Sequence, residues 1–260
     1  MAATQRRTAL VLGGTSGLGL AIATAMADEG WATAIVGHQQ ERLHTAAAHK
    51  AFRHRPSTAI LADLDTDIGC KSAVDTAVAA FGGLDVLIVN NGGPPPGDFA
   101  DLDGAAWQRG VDRTLLSAVR AIDAALPSLR KGFHPRIVLL TSITTIRPRP
   151  RLTLSNALRR AVEGLARSLA VELAPQGITV NCVAPGFTAT ERLEHLFADA
   201  AKAKGTTAAQ ERAETIAQIP LGRLCTPAEV AAAVLWLASP AADAVTGQTL
   251  AVDGGWSASG

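Results

Sequence analysis

The sequence predicts a doubly wound α/β domain on a mostly parallel sheet, and three observations lead there. Short β-prone apolar runs alternate with helical stretches about seven times along 260 residues, with no repeat or linker between them. The composition, 48% hydrophobic with 24 glycines and 18% charged residues, can bury a large core. The first apolar run also breaks directly into a glycine-rich loop that opens a helix, the layout of a βα unit that meets a phosphate. Strands joined by helices pack as a parallel sheet covered on both faces, and a ligand binds at their carboxyl ends.

Thr8–Leu12 is the first strand, followed by Gly13-Gly14-Thr15-Ser16-Gly17-Leu18-Gly19 and a helix beginning near Ser16. Glycines let the backbone approach a pyrophosphate closely, and the free N–H groups at the helix start stabilise its charge. By itself the pattern equally suits a glycine-rich turn in an ordinary βα unit. The second strand, Ala32–Val36, ends in Gly37-His38-Gln39-Gln40. An acid about 20 residues past the loop would hold the ribose 2′-hydroxyl of NAD. None stands there, and His38 suits a 2′-phosphate better, which favours NADP(H) over NAD(H); a solvated turn histidine is the other reading.

The third strand, Ala59–Ala62, leads through Asp63-Leu64 into a helix reaching Ala80. The fourth, Leu84–Val89, runs into Asn90-Asn91-Gly92-Gly93-Pro94-Pro95-Pro96-Gly97. Amide side chains and tight turns there suit adenine or ribose contacts, or simply a rigid loop. Trp107–Leu129 reads as a long amphipathic helix. The fifth strand, Ile137–Leu140, precedes Ser142, and a helix from about Leu154 to Leu173 carries an apolar stripe of Leu158, Val162, Leu165, Leu169 and Leu173. Gly177–Val183 is the sixth strand, ending in Ala184-Pro185-Gly186-Phe187. Thr190–Gln218 is helical and polar around Gly205, a mobile cover over the site. A last helix spans Pro227–Ala238, and Gln248–Gly255 is the final strand. Residues 1–260 thus form one dinucleotide-binding and catalytic domain with a helical cover at about 190–218.

A formal net charge of +1 argues against nucleic acid or an anionic membrane as partner. Cys70, Cys182 and Cys225 have neither metal-ligand nor disulfide spacing, so no metal is expected and a reducing, cytoplasmic setting is. The N-terminal MAATQRRTALVLGG lacks a long apolar leader core, and no apolar run is long enough to span a bilayer.

The loop LGGTSGLG, the loop NNGG, Ser142 and the run GLARSLAVELAPQGITVNCVAPGF together resemble the short-chain dehydrogenase/reductase family, particularly its 3-oxoacyl-carrier-protein-reductase-like members, from Thr8 to Gly255. The resemblance implies a Rossmann-type fold in which Gly13, Thr15, Ser16, Gly17, Leu18 and Gly19 hold the pyrophosphate. Asp63, Leu64 and the loop Asn90, Asn91, Gly92 and Gly93 match adenosine-binding positions, and Pro185, Gly186, Thr188 and Thr190 match those that seat the nicotinamide carboxamide. It also implies a small-molecule substrate and a homotetramer or homodimer. The family's catalytic set is Asn, Ser, Tyr and Lys, and only Ser142 is retained here. Ser155, thirteen residues further on, stands at the tyrosine position, Arg159 at the lysine position and Thr114 at the asparagine position. The motif SNALR and the run GGPPPG resemble a side branch whose members are generally called oxidoreductases.

The chain contains no tyrosine at all. A phenol with a pKa near about 10, lowered by a neighbouring cation, shuttles a proton well. A serine hydroxyl is a poorer acid on a shorter side chain, so Ser155 cannot simply inherit the role. Arg159 can touch the ribose or an oxyanion but cannot relay protons, and Thr114 keeps a hydroxyl without the amide. Three readings stay open: a reductase or dehydrogenase that takes its proton from water or the substrate, a dinucleotide-binding protein without turnover, and a non-redox enzyme such as a hydratase. The loop Ile146-Arg147-Pro148-Arg149-Pro150-Arg151 either borders the pocket and attracts an anionic substrate or is solvated. His195 on the cover is a second proton source or faces water.

Overall fold

A computed structural model describes residues 6–259; Met1–Gln5, the start of the stretch read for a leader, and Gly260 lie outside the described residues. Seven strands, β1 Thr8–Val11, β2 Ala32–Gly37, β3 Ser57–Leu61, β4 Val86–Val89, β5 Arg136–Leu140, β6 Thr179–Pro185 and β7 Thr249–Val252, form one parallel sheet in the order β3-β2-β1-β4-β5-β6-β7. The order reverses between β1 and β4, which is where a crevice opens between crossovers leaving on opposite faces. Strands β1, β2, β4, β5 and β6 are buried along their whole length. That burial is why they read as continuous apolar runs rather than alternating ones.

On one face α3 (Asp67–Phe81), α5 (Ser117–Leu129) and α6 (Thr153–Leu173) cover a core that includes Leu10, Leu87 and Ile137. On the other, α1 (Gly17–Asp28), α2 (Gln40–Ala47) and α9 (Pro227–Ala238) cover Val11, Ile88 and Val138. The cover comprises α7 (Glu191–Lys204) and α8 (Ala208–Ala217), separated by Gly205 in a left-handed conformation. It carries its own small core of Leu193, Phe197 and Ile219 against Ile143, Phe187 and Trp256. Among the described residues no helix is long and apolar enough to cross a membrane.

Four sequence expectations are adjusted. Helix α2 follows His38 directly where only a turn was read, because Leu43 and Ala46 alone give it a buried face. The long helix expected over Trp107–Leu129 starts earlier, as α4 (Gly104–Val111), and passes through a π turn at Asp112–Leu116 before α5. On α6 the fully buried line is Leu154, Leu158, Val162, Ala166, Ala170 and Leu173, while Leu165 and Leu169 sit at its margin. The last strand stops at Val252 because Gly254 and Gly255 both turn with positive φ.

Candidate active site

The carboxyl ends of β1, β4, β5 and β6 converge on a cleft of about 830 Å³, within the size range of small-molecule and coenzyme sites. Its floor depends on close backbone approach. A Cβ at Gly13 would lie 2.3 Å from the Asn90 carbonyl oxygen, and one at Gly19 2.0 Å from that of Gly13. Asn90 Nδ2 donates to the Gly13 carbonyl at 3.1 Å, which ties the glycine loop to the end of β4. Ser16 is the extended N-cap of α1, its hydroxyl makes no capping bond, and the first turn holds no acid. The N–H groups of that turn are therefore presented to an anion in the cleft.

Gly13, Thr15, Ser16, Gly17, Leu18, His38, Asp63, Leu64, Asn90, Asn91, Gly92 and Gly93 all line this cleft, as do Ser142, Ser155, Arg159, Pro185, Gly186, Thr188 and Thr190. Two predicted positions stand behind its wall. Gly19 is buried beneath Gly13, and Thr114 is only 2% exposed in the π turn, its Oγ1 without a partner among the described residues. Asn91 lines the cleft while its Nδ2 is turned to the Ser117 hydroxyl, and its buried Oδ1 is likewise unpartnered. Thr190 caps α7 by accepting from the Leu193 N–H at 3.4 Å.

Ser142 leaves β5 in extended backbone, and its Oγ accepts the Thr144 N–H at 3.2 Å. Ser155 in the first turn of α6 meets the Thr144 hydroxyl at 3.3 Å, so Thr144 touches both serines of the cleft, Ser142 through its backbone N–H and Ser155 through its hydroxyl. Arg159 lies one turn below Ser155 and donates to the Leu140 carbonyl and, at 3.3 Å, to that of Asn91. It is partly open to the cleft but ringed by protein, and burial, aided by the nearby Arg192 cation, lowers its pKa to about 10.

Among the cleft residues not anticipated from the sequence are Arg42, Arg113, Arg192 and Thr144. Arg42 comes from α2 and pairs with Glu191 of the cover at 3.5 Å. Arg113 pairs with Asp65 at 3.4 Å. Arg192 reaches over Gly93, where an added Cβ would lie 2.4 Å from its guanidinium, and donates to the Pro94 carbonyl at 3.4 Å. Of the arginine-rich loop, only Arg149 lines the cleft. Arg147 lies 4.7 Å over the Trp256 ring, and Arg151 turns with a left-handed φ of 59° and bonds through its N–H to Asp98. His195 lines the cleft from the cover. Among the described residues no cluster of His, Cys, Asp and Glu could hold a metal ion.

The glycine cradle at the strand-order reversal, the uncapped start of α1 and the cleft volume together define a Rossmann-type dinucleotide fold. Known proteins carry the assignment further. A family model described as enoyl-(acyl carrier protein) reductase matches residues 13–257. Cis-4-hydroxycyclohexanecarboxylate dehydrogenase of Sinomonas cyclohexanicum is 35% identical over 253 residues, covering 97% of each chain. L-2,3-butanediol dehydrogenase of Corynebacterium glutamicum is 32% identical, covering 96% of this chain and 98% of the other. Among solved structures, an NADPH-bound short-chain oxidoreductase of Pseudomonas aeruginosa containing an atypical catalytic center superposes with a TM-score of 0.87 at 31% identity over 96% of each chain. A variant of actinorhodin polyketide ketoreductase with NADPH reaches 0.92 at 30% identity over 99% of each. The chain belongs to the short-chain dehydrogenase/reductase family and is one of its oxidoreductases.

Proposed function

We propose that this chain, working as one domain, is an NADP(H)-dependent reductase or dehydrogenase of a carbonyl/hydroxyl substrate with an atypical catalytic set. One observation carries the reading: a single cleft holds the glycine cradle, the uncapped start of α1 and the serine at the end of β5. The NADPH-bound neighbours support the coenzyme, as do His38, a hydrogen-bonding side chain, and Arg42, a fixed cation, which line the cleft near the end of β2 where a 2′-phosphate would lie. Bound NADPH would supply the hydride.

Ser142 donates to the substrate oxygen and orients the carbonyl, its lone pair already engaged by the Thr144 N–H. As the oxygen gains charge, the fixed cation Arg159 stabilises it from the cleft floor. The proton comes from water held among the Ser142, Thr144 and Ser155 hydroxyls, and the hydroxide left behind is neutralised by solvent. General acid catalysis contributes typically about 10²–10⁴-fold, so a site without a phenol is slowed and still works if hydride positioning survives. The protein acts in the cytoplasm as a homodimer or homotetramer.

The test is NADPH oxidation with a panel of ketones and 3-oxoacyl thioesters. Turnover is expected, and its complete absence sinks the proposal. A second reading, a dinucleotide-binding protein without turnover, is favoured by the tie between Ser155 and Thr144, which leaves no strong acid at the tyrosine position. It predicts NADP(H) binding by titration with no oxidation, and lack of affinity for either dinucleotide excludes both readings.

A further inference from the structure

The cations in the cleft divide into two groups. Arg42 and Arg113, nearer the rim, are each paired with a carboxylate, Glu191 and Asp65. Arg149, Arg159 and Arg192 line the same cleft, and among the described residues none of them has a carboxylate within 4.0 Å. Arg159 and Arg192 spend donors on backbone carbonyls of the cleft wall. Arg149 spends none: its guanidinium lies 4.4 Å over the Phe187 ring and has no hydrogen-bond acceptor among the described residues. Burial alone lowers its pKa, with no opposing carboxylate to raise it. Taking a guanidinium partly out of water without an anionic partner costs stability, which is recovered when an anion binds.

Its placement is also controlled. The Arg149 N–H donates to Asn156 Oδ1 at 3.3 Å, and Asn156 Nδ2 returns a bond to the Arg149 carbonyl at 2.9 Å. Asn156 adjoins Ser155, so the loop is clamped to the first turn of α6 and Arg149 is held at a set position relative to the cleft hydroxyls. Arg149 thus lines the cleft with its guanidinium against Phe187 and its N–H donors unspent, and a guanidinium with free donors can bind a carboxylate with two bonds. Arg147, two residues earlier, uses the same stacking on Trp256 and does not line the cleft.

Building on the reductase reading, we infer that Arg149 is a specificity-determining residue that anchors a carboxylate on the substrate, so that the substrates are oxo acids and hydroxy acids with the reacting carbon held at Ser142. The rival source of an anion is the coenzyme itself, whose phosphates would be held by the glycine loop and by His38 and Arg42, on other elements of the cleft.

The experiment uses the full chain saturated with NADPH or NADP⁺. The probes are 4-oxocyclohexanecarboxylate and 4-oxopentanoate, each against its methyl ester, followed by turnover with NADPH and by calorimetric binding to the NADP⁺ complex. The wild type should prefer at least one acid over its ester by about tenfold or more, as a charge-assisted bidentate pair requires. Arg149→Gln should collapse that preference to within about threefold, Arg149→Lys should keep part of it, and Arg147→Gln should leave it unchanged. NADPH affinity should move by less than about threefold in Arg149→Gln, which also certifies its fold. Equal binding of acids and esters, persistence of the preference in Arg149→Gln, or an equal loss in Arg147→Gln overturns the inference. A large loss of NADPH affinity in Arg149→Gln assigns the residue to the coenzyme and overturns it as well. Because binding to the NADP⁺ complex is read without turnover, failure of the acids to bind sinks the anchor alone; acids that bind while neither they nor any ketone or thioester of the panel is reduced sink the reductase reading; and acids that bind unreduced while other ketones are turned over overturn the substrate class.

Discussion

The hydroxyls of Thr144 and Ser155 stand 3.3 Å apart, so the side chain at the tyrosine position is tied to the loop that carries Ser142. On the proposed mechanism, a serine held there positions the loop and a water and does not replace a phenol. Ser142→Ala, on the same mechanism, removes the donor to the substrate oxygen and should lower kcat by about 10²-fold, the usual cost of losing one such donor. Ser155→Ala should cost less than about tenfold, because water can fill the vacated place. Thr144→Val should resemble Ser155→Ala in kcat and leave KM unchanged. Steady-state kinetics on any ketone that is turned over checks the order, and a larger loss at Ser155 than at Ser142 contradicts it.

At the end of the cleft proposed to take the adenosine, Arg42 and Glu191 pair at 3.5 Å. Arg42→Gln should weaken NADPH binding by about tenfold and leave NADH unaffected, since only the 2′-phosphate differs between them. His38→Asp places an acid where the ribose 2′-hydroxyl would sit and should reverse the preference towards NADH. Glu191→Gln frees Arg42 and should tighten NADPH slightly. Fluorescence titration with both coenzymes reads all three.

The sheet was legible from sequence because five strands are buried on both faces, so their apolar runs are unbroken. Helix α2 was not, since Leu43 and Ala46 are its only buried residues and its remaining positions read as loop. Within the site, the residues legible in advance lie beside strand ends or in the glycine loop, where local pattern and place in the fold coincide. Arg42 and Arg192 reach the cleft from α2 and α7, and their contacts span distant parts of the chain. Arg147 and Arg149 look equivalent in a proline-stiffened loop, yet Trp256 receives one and Phe187 the other. No local pattern distinguishes them. Likewise the burial of Thr114 depends on a π turn that helical periodicity does not announce.

Glycines separate two kinds of change. A Cβ at Gly19 would meet the Gly13 carbonyl oxygen at 2.0 Å and Asn90 Nδ2 at 2.6 Å, so Gly19→Ala must push the phosphate loop away from β4. It should lower the melting temperature and abolish NADPH binding together. Gly164, inside α6, has no neighbour within 4 Å of an added Cβ and no positive φ. Gly164→Ala should therefore stabilise the fold by about 0.5–1 kcal/mol, as removal of a mid-helix glycine does. Denaturant titration with an unchanged slope is the check.

If Arg159 acts as proposed, its charge sets an upper pH bound on the site. Burial first, and Arg192 second, lower its pKa to about 10, still well above neutrality, so it remains a cation through the physiological range. Its folded-state pKa lies below the unfolded value, so the fold disfavours the charge and the proton leaves the native protein first as pH rises. On this group's account, NADPH affinity and turnover should be flat near neutrality and fall as pH passes through about 10. Arg192→Gln removes the repelling cation and should move that limb upward. Arg159→Lys should move it downward, because a lysine starts from a lower ordinary value than an arginine and meets the same burial. A limb that stays in place in both variants would mean that another group titrates there, and that the cation on the cleft floor is not what the coenzyme and the oxyanion respond to.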